Sequence, residues 1–206
     1  MEIKKNGFYL IKNEFFKKFE ENSLPFQKNG RPVYYCIQDK YNDKIFWVIA
    51  LTTKLNKVEK AFEKAGGEEK CKIYCRFPSD KKSAFNIGDI FPITKEYVER
   101  EFIKTGKHYQ LKDSNLIEKI EKKAITIIKI KMTNDNANNK GINVQKIYKQ
   151  LSEEINLKIK IETENLKDET KEISKEQKEV EKKNPLIEKI QARRENKENS
   201  ILTNKK

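Results

Sequence analysis

The sequence predicts an α+β domain: a compact, mostly antiparallel twisted sheet packed with several helices, then a charged C-terminal extension that is helical or disordered. Three observations carry this expectation. V-Y-Y-C-I-Q (33–38) and I-F-W-V-I-A-L (45–51) are β-rich runs on either side of the polar turn D-K-Y-N-D-K, which is a hairpin pattern. Around it, short apolar runs are interleaved with segments of helical period. Beyond about residue 157 apolar anchors thin out and charges of both signs dominate. The expected division is therefore 1–157 for the domain and 158–206 for the extension.

Taken in order, G-F-Y-L-I (7–11) reads as a first strand. A helix follows, with Asn13 as its expected N-cap and Phe15, Phe16 and Phe19 on one face. S-L-P-F-Q-K-N-G-R-P (23–32) is punctuated by Pro and Gly and reads as a loop. Both hairpin strands are apolar on each face, which places them centrally in the sheet. Leu55, Val58, Ala61, Phe62 and Ala65 share one helical face, and Gly66-Gly67 ends that helix. K-I-Y-C-R-F and S-A-F-N-I-G-D-I-F read as strands, and Thr94 as the N-cap of a helix through P-I-T-K-E-Y-V-E-R-E-F. H-Y-Q-L reads as a short edge strand, and a longer helix is expected to start at Asp113.

An Asn-rich break (133–141) precedes an amphipathic helix marked by Ile142, Val144, Ile147, Tyr148, Leu151 and Ile155. Leu166, Ile173 and Val180 fall seven apart, too few for a stable coiled coil, so a solvated, partly helical tail is expected. A short terminal helix is expected to begin at Pro185.

Charge is distributed unevenly. The chain carries +13, from 45 Lys and Arg against 32 Asp and Glu. Residues 1–151 hold 31 basic and 19 acidic side chains, whereas 152–206 hold 14 and 13. A compact cationic domain commonly meets nucleic acid, because neutralising phosphates releases condensed counterions. The plainer explanation is a Lys-rich solvated surface in an AT-rich genome. No apolar run reaches the ~20 residues of a membrane span, and M-E-I-K-K-N-G-F-Y lacks the apolar core of a secretion signal. Cys36, Cys71 and Cys75 read as small buried hydrophobes in a reducing cytosol, so a cytoplasmic protein is expected.

Several chemistries are excluded by residue type. His108 is the single histidine, so paired-histidine cleavage of RNA is unavailable, and it reads as a surface residue. No D-x-D, H-x-E or Cys/His set offers convergent metal ligands; Glu99 and Glu101, two apart on the expected helix, point to different sides. No cofactor is expected, since neither G-x-x-x-x-G-K-[ST] nor G-x-G-x-x-G occurs. Thr52, Thr53 and Lys54 remain, at the mouth of the central strand. There two hydroxyls, an ammonium and the N–H groups of the next helix can converge on a phosphate. Equally, T-T is a common N-capping pair and a neighbouring Lys is usually solvated.

A wider pattern accompanies that segment. F-Y-L-I-K-N-E-F (8–15), R-P-V-Y-Y-C-I (31–37), I-F-W-V-I-A-L-T-T-K (45–54), A-F-N-I-G-D-I-F-P-I-T-K-E-Y-V (84–98) and I-Y-K-Q-L (147–151) occur in this order. Together they resemble the ToxN/AbiQ/CptN family of endoribonuclease toxins from type III toxin–antitoxin systems, most closely the CptN branch. The resemblance spans most of residues 7–151 and leaves the extension out. It implies metal-independent RNA cleavage, a role in phage defence, and inhibition by a repeat RNA antitoxin in a closed protein–RNA assembly. The cellular or phage RNA substrate is attacked by its own 2′-OH. Carried over, the catalytic residues are Thr52, Thr53 and Lys54, with Tyr9, Arg31 and Lys57 as expected RNA contacts. Tyr9 and Arg31 fit core packing or a structural ion pair equally well.

Two positions depart from the family pattern: Ala50 stands where Pro is usual, and Thr53 where Ser is usual. Other readings of the charge pattern are a non-catalytic basic RNA- or DNA-binding protein, a toxin held by a protein antitoxin, and a scaffold whose tail recruits a partner helix.

Overall fold

The hairpin is the centre of the sheet. The computed structural model describes residues 2–20, 24, 31–80, 82–134, 142–182, 189 and 193. Its strands are β1 (Phe8–Ile11), β2 (Val33–Gln38), β3 (Ile45–Thr52), β4 (Tyr74–Arg76), β5 (Ala84–Thr94) and β6 (Val98–Glu101), in the order β4-β5-β3-β2-β1-β6. Every neighbouring pair is antiparallel. A two-stranded ribbon, β7 (Ile103–Lys104) and β8 (Lys107–His108), stands apart. The helices are α1 (Asn13–Lys18), α2 (Leu55–Ala65), α3 (Ser114–Thr133) and α4 (Val144–Lys182). This is an α+β architecture with an antiparallel sheet.

One apolar core joins the sheet to α1, α3 and the first turns of α4. Phe8, Tyr34, Ile49, Phe85 and Phe91 of the strands meet Phe15 of α1 and Phe19 just past its end, Ile120 and Ala124 of α3, and Ile147 and Leu151 of α4. Burying each such side chain is worth about 1.5–3 kcal/mol. A smaller cluster of Val58, Phe62, Cys71 and Ala84 seats α2. Trp47 is buried and stacks on Tyr148 with ring centroids 6.0 Å apart. Its indole N–H donates to Asp39 Oδ2 at 2.9 Å, and the Tyr148 hydroxyl donates to Asp39 Oδ1 at 2.9 Å. One turn carboxylate thus ties the hairpin to α4.

Local signals set several element ends. Asp113 caps α3 by accepting from Leu116 N at 3.0 Å. Gly66 ends α2 with φ of 77°, a left-handed conformation that a side chain disfavours. The three cysteines are buried free thiols, and burial pushes the Cys75 thiol up to about 12.

Some expectations are corrected. Residue 12, not Asn13, is the N-cap of α1. The helix expected after Thr94 is a single 3-10 turn (Lys95–Tyr97): Thr94 stands at its N-cap position without a side-chain cap bond, and the chain goes on as β6 rather than as an α-helix. Cross-strand pairing keeps residues 92–94 in the strand, because Ile45 pairs with Thr94 and Trp47 with Pro92. Proline is tolerated there because β4 pairs only with Ala84–Asn86, leaving β5 a single neighbour at position 92. Glu99 and Glu101 therefore sit on a strand, where residues two apart share a face.

The expected H-Y-Q-L strand is reduced to β8 and an isolated bridge between Gly7 and Gln110. His108 is packed rather than superficial: its side chain is 11% exposed, edge-on to Tyr9. The helix through the charged tail is continuous to Lys182, with Leu166 solvent-exposed. Most of the 23–32 loop and nearly all of the Asn-rich break lie outside the described residues. The expected start at Pro185 does too. By packing, the chain divides into Met1–Ile155 and Asn156–Lys206.

Candidate functional site

The end of β3 is built by its own sequence. Thr52 is the last residue of the strand and pairs with Ala84; the chain then turns directly into α2. The Thr52 hydroxyl accepts the Lys54 backbone N–H at 3.2 Å, a short hydroxyl turn that replaces the usual Gly or Asn. Leu55 N–H donates to Thr53 C=O at 3.0 Å. Lys54 is the N-cap of α2, and its side chain makes no capping bond. The Thr52 hydroxyl thus spends an acceptor site on the turn, while the Thr53 and Lys54 side chains are exposed.

A cleft of about 510 Å³ opens here, bordered by Arg31, Thr52, Thr53, Lys54, Lys57, Tyr74, Asn86 and Asp89. Five of the six residues singled out from sequence meet in it. Arg31 comes from the chain entering β2, the threonines and Lys54 from the end of β3, and Lys57 from the first turn of α2. Among the described residues neither Arg31, Lys54 nor Lys57 enters an ion pair, whereas Arg76 and Lys119, which do not line the cleft, pair with Glu59, Glu68 and Glu69. Three cations face one carboxylate, Asp89, so the cleft favours an anion.

Tyr9 does not join them. It is 1% exposed in β1, and its hydroxyl is taken up locally, receiving Lys4 N–H at 2.6 Å and donating to Lys4 C=O at 3.0 Å. Its pairing between β2 and β6 makes it core, which corrects the expected surface contact.

Sequence reasoning missed the far wall, Tyr74, Asn86 and Asp89. Val48 pairs with Phe91 but Ala50 pairs with Asn86, so two steps along β3 oppose five along β5. This bulge turns Asp89 toward the cleft. Gly88 permits it: a Cβ there would lie 3.2 Å from Ile73 Cβ, and its N–H donates to Ile73 C=O at 3.0 Å. Asn86 Nδ2 donates to Asp89 Oδ2 and orients the carboxylate. Burial, reinforced by the Asp89 charge, raises the Tyr74 hydroxyl, which stays a protonated donor at neutral pH. The available signal was two polar residues inside an otherwise apolar strand, A-F-N-I-G-D-I-F.

No protein-family model matches this chain, and no curated protein matches it. No group of three or more His, Cys, Asp or Glu among the described residues is placed to hold a metal ion, and no helix among them is long and apolar enough to cross a membrane.

What the cleft can do follows from its parts. The first turn of α2, without a side-chain cap, presents the positive end of the helix dipole. Two hydroxyls and three cations add donors around the same space. Such a set suits a tetrahedral anion with several non-bridging oxygens, and it suits still better one on which charge is growing.

Proposed function

We propose that this chain is a metal-independent endoribonuclease, the toxin of a type III toxin–antitoxin system, restrained by a repeat RNA. The observation that supports this most is the gathering of Arg31, Thr52, Thr53, Lys54 and Lys57 in one cleft at the start of α2. Arg31 joins them from outside the 52–57 stretch, and a phosphodiester is a ligand that suits the whole set.

In this reading the substrate supplies its own nucleophile. The ribose 2′-oxygen attacks the adjacent phosphorus, its proton passes to Asp89, and the bond from phosphorus to the 5′-oxygen breaks. The leaving 5′-oxygen takes a proton from water. The products are a 2′,3′-cyclic phosphate and a 5′-hydroxyl. Lys54 and Arg31 offset the charge that grows on the non-bridging oxygens, and Thr53 donates a hydrogen bond to one of them. Aliphatic hydroxyls are too weakly basic to hold the proton at neutral pH, so the threonines position and stabilise. DNA, which lacks the 2′-OH, is bound and left uncut.

The test is expression without the RNA antitoxin, together with cleavage of RNA by purified protein. Growth arrest and a 2′,3′-cyclic end are expected, and Lys54→Ala should relieve the arrest. A Lys54→Ala protein that folds, accumulates equally and remains as toxic would remove Lys54 from the mechanism. A second reading, a basic nucleic-acid binder without catalysis, is favoured by the cation excess alone; it predicts binding and no cleavage product at all.

A further inference from the structure

A second pocket adjoins the cleft, and its walls are of another kind. It measures about 310 Å³ and is walled by the rings of Phe8, Phe77, Phe102 and Tyr109. Arg31, Leu51 and Thr53 border both spaces, so whatever is held at Thr53 in the cleft lies beside the aromatic pocket. Phe8 and Phe77 are buried and lie parallel, centroids 5.7 Å apart and planes 7° apart. Tyr109 packs 5.0 Å from Phe8, and Phe102 stands nearly perpendicular to Tyr109, at 80°. Phe102 and Tyr109 are only half-buried, so these rings are not sealed into the core.

Flat rings beside a cationic cleft match one chemistry. A nucleotide is a planar aromatic base tethered to a phosphate, and bases unstacked from a single strand are bound by stacking on aromatic side chains. The pocket also has a polar edge. Asp80 lines it, with Oδ2 accepting from Ser83 Oγ at 2.6 Å and Oδ1 accepting from Lys82 N–H at 3.1 Å. The Ser83 hydrogen bond, with the Lys82 N–H and the charges of Lys104 and Lys82, holds its carboxyl below the usual carboxylate range despite partial burial. An ionised carboxylate is an acceptor only, and each oxygen has a second lone pair to offer. Guanine presents two adjacent N–H donors on its Watson–Crick edge, whereas adenine, cytosine and uracil present one donor group.

We propose that this pocket is a nucleobase subsite, which takes a guanine flanking the scissile phosphodiester, stacked on Tyr109 and hydrogen-bonded to Asp80. The assignment deepens the endoribonuclease reading and rests on it for the phosphate in the neighbouring cleft. The exposed Lys104 lies over the Tyr109 ring, its Nζ 4.7 Å from the centroid; a stacked base would displace this ammonium toward the next phosphate of the strand.

The experiment uses the full chain and 2′-deoxy dinucleotides, which cannot be cut, so binding is read apart from chemistry. Dinucleotides carrying guanine, adenine, cytosine, uracil or no base at the variable position are titrated by calorimetry. Guanine is expected to bind at least about tenfold more tightly than the abasic analogue, the scale of one base–aromatic stack. Tyr109→Ala should bring that ratio close to one, and Asp80→Asn should remove the advantage of guanine over adenine. Circular dichroism checks folding, and if Tyr109→Ala does not fold, the change in base order with Asp80→Asn decides. Equal binding of guanine and abasic dinucleotides, or a base order untouched by Asp80→Asn, overturns the subsite. Base-dependent binding by a chain that cuts no RNA keeps the subsite and removes the nuclease reading. RNA cleavage without base-dependent binding removes the subsite alone.

Discussion

The Thr52 hydroxyl accepts the Lys54 backbone N–H at 3.2 Å, across the turn from β3 into α2. This bond fixes the direction of the Lys54 main chain while the Lys54 ammonium stays exposed beside the cleft. It also separates two roles that a pair of threonines would otherwise share. Thr52 is half-buried and holds the turn, and Thr53 is exposed and faces both the cleft and the aromatic pocket.

Thr52→Val and Thr53→Val are therefore expected to differ. Thr52→Val removes the turn bond and should cost about 0.5–2 kcal/mol of stability, by the scale of lost hydroxyl caps. Thr53→Val should leave the unfolding midpoint nearly unchanged and lower RNA cleavage by about 10²–10³, the scale of losing one donor to a developing oxyanion. Denaturant unfolding and single-turnover cleavage, run on both variants, measure the two effects. A Thr53→Val protein with undiminished cleavage removes Thr53 from the chemistry.

Cleavage is expected to persist in excess EDTA. The cationic groups at the cleft are Arg31, Lys54 and Lys57, which can offset phosphate charge by themselves. Loss of cutting in chelator, restored by magnesium or manganese, would replace the mechanism given above.

RNA affinity should fall steeply with salt, and most of the slope should survive removal of residues 160–206. The apolar core closes at Ile155, and residues 152–206 hold 14 basic against 13 acidic side chains, so the tail contributes little net charge. Each neutralised phosphate of a single strand contributes about 0.7 to the slope of log affinity against log salt. A titration series at several salt concentrations, on full-length and truncated protein, gives both slopes. Competition of the cognate repeat RNA against scrambled RNA of equal length then separates a specific antitoxin from a merely basic surface, which predicts equal affinities.

Asp39→Ala should be among the most destabilising substitutions outside the apolar core. Asp39 accepts from the Trp47 indole and the Tyr148 hydroxyl, and from the Tyr41 and Asn42 N–H groups of its own turn. Removing it strands polar groups of buried Trp47 and half-buried Tyr148, at a cost of about 1–3 kcal/mol for each unsatisfied group. Chemical unfolding measures the loss. A change under about 0.5 kcal/mol, the scale of an ordinary surface substitution, would show that the turn and α4 are held by apolar packing alone.

Features under short-range control are legible in the residues alone. The hairpin is legible because β-branched and aromatic runs flank a polar turn, and the end of α2 because Gly66 alone suits a φ of 77° there. The start of α3 is legible because Asp113 reaches Leu116 N within one turn. Thr52, Thr53 and Lys54 stand out for the same reason, being polar residues where an apolar strand stops. Other features depend on which strands become neighbours, and these are not legible locally. Thr94 carries a capping signal, yet its pairing with Ile45 keeps it in β5. Tyr9 has the residue type of a nucleic-acid contact, but β1 lies between β2 and β6 and the side chain is sealed. Arg31 and Lys57 are far apart in sequence and reach one cleft because β2 pairs with β3 and α2 follows directly. Asp89 enters the same cleft only through a bulge set by the register of β5 against β3. Propensity and capping act within a few residues along the chain, whereas strand neighbours and register are settled by burying one shared core, so the chemistry of the cleft was written locally and its assembly was not.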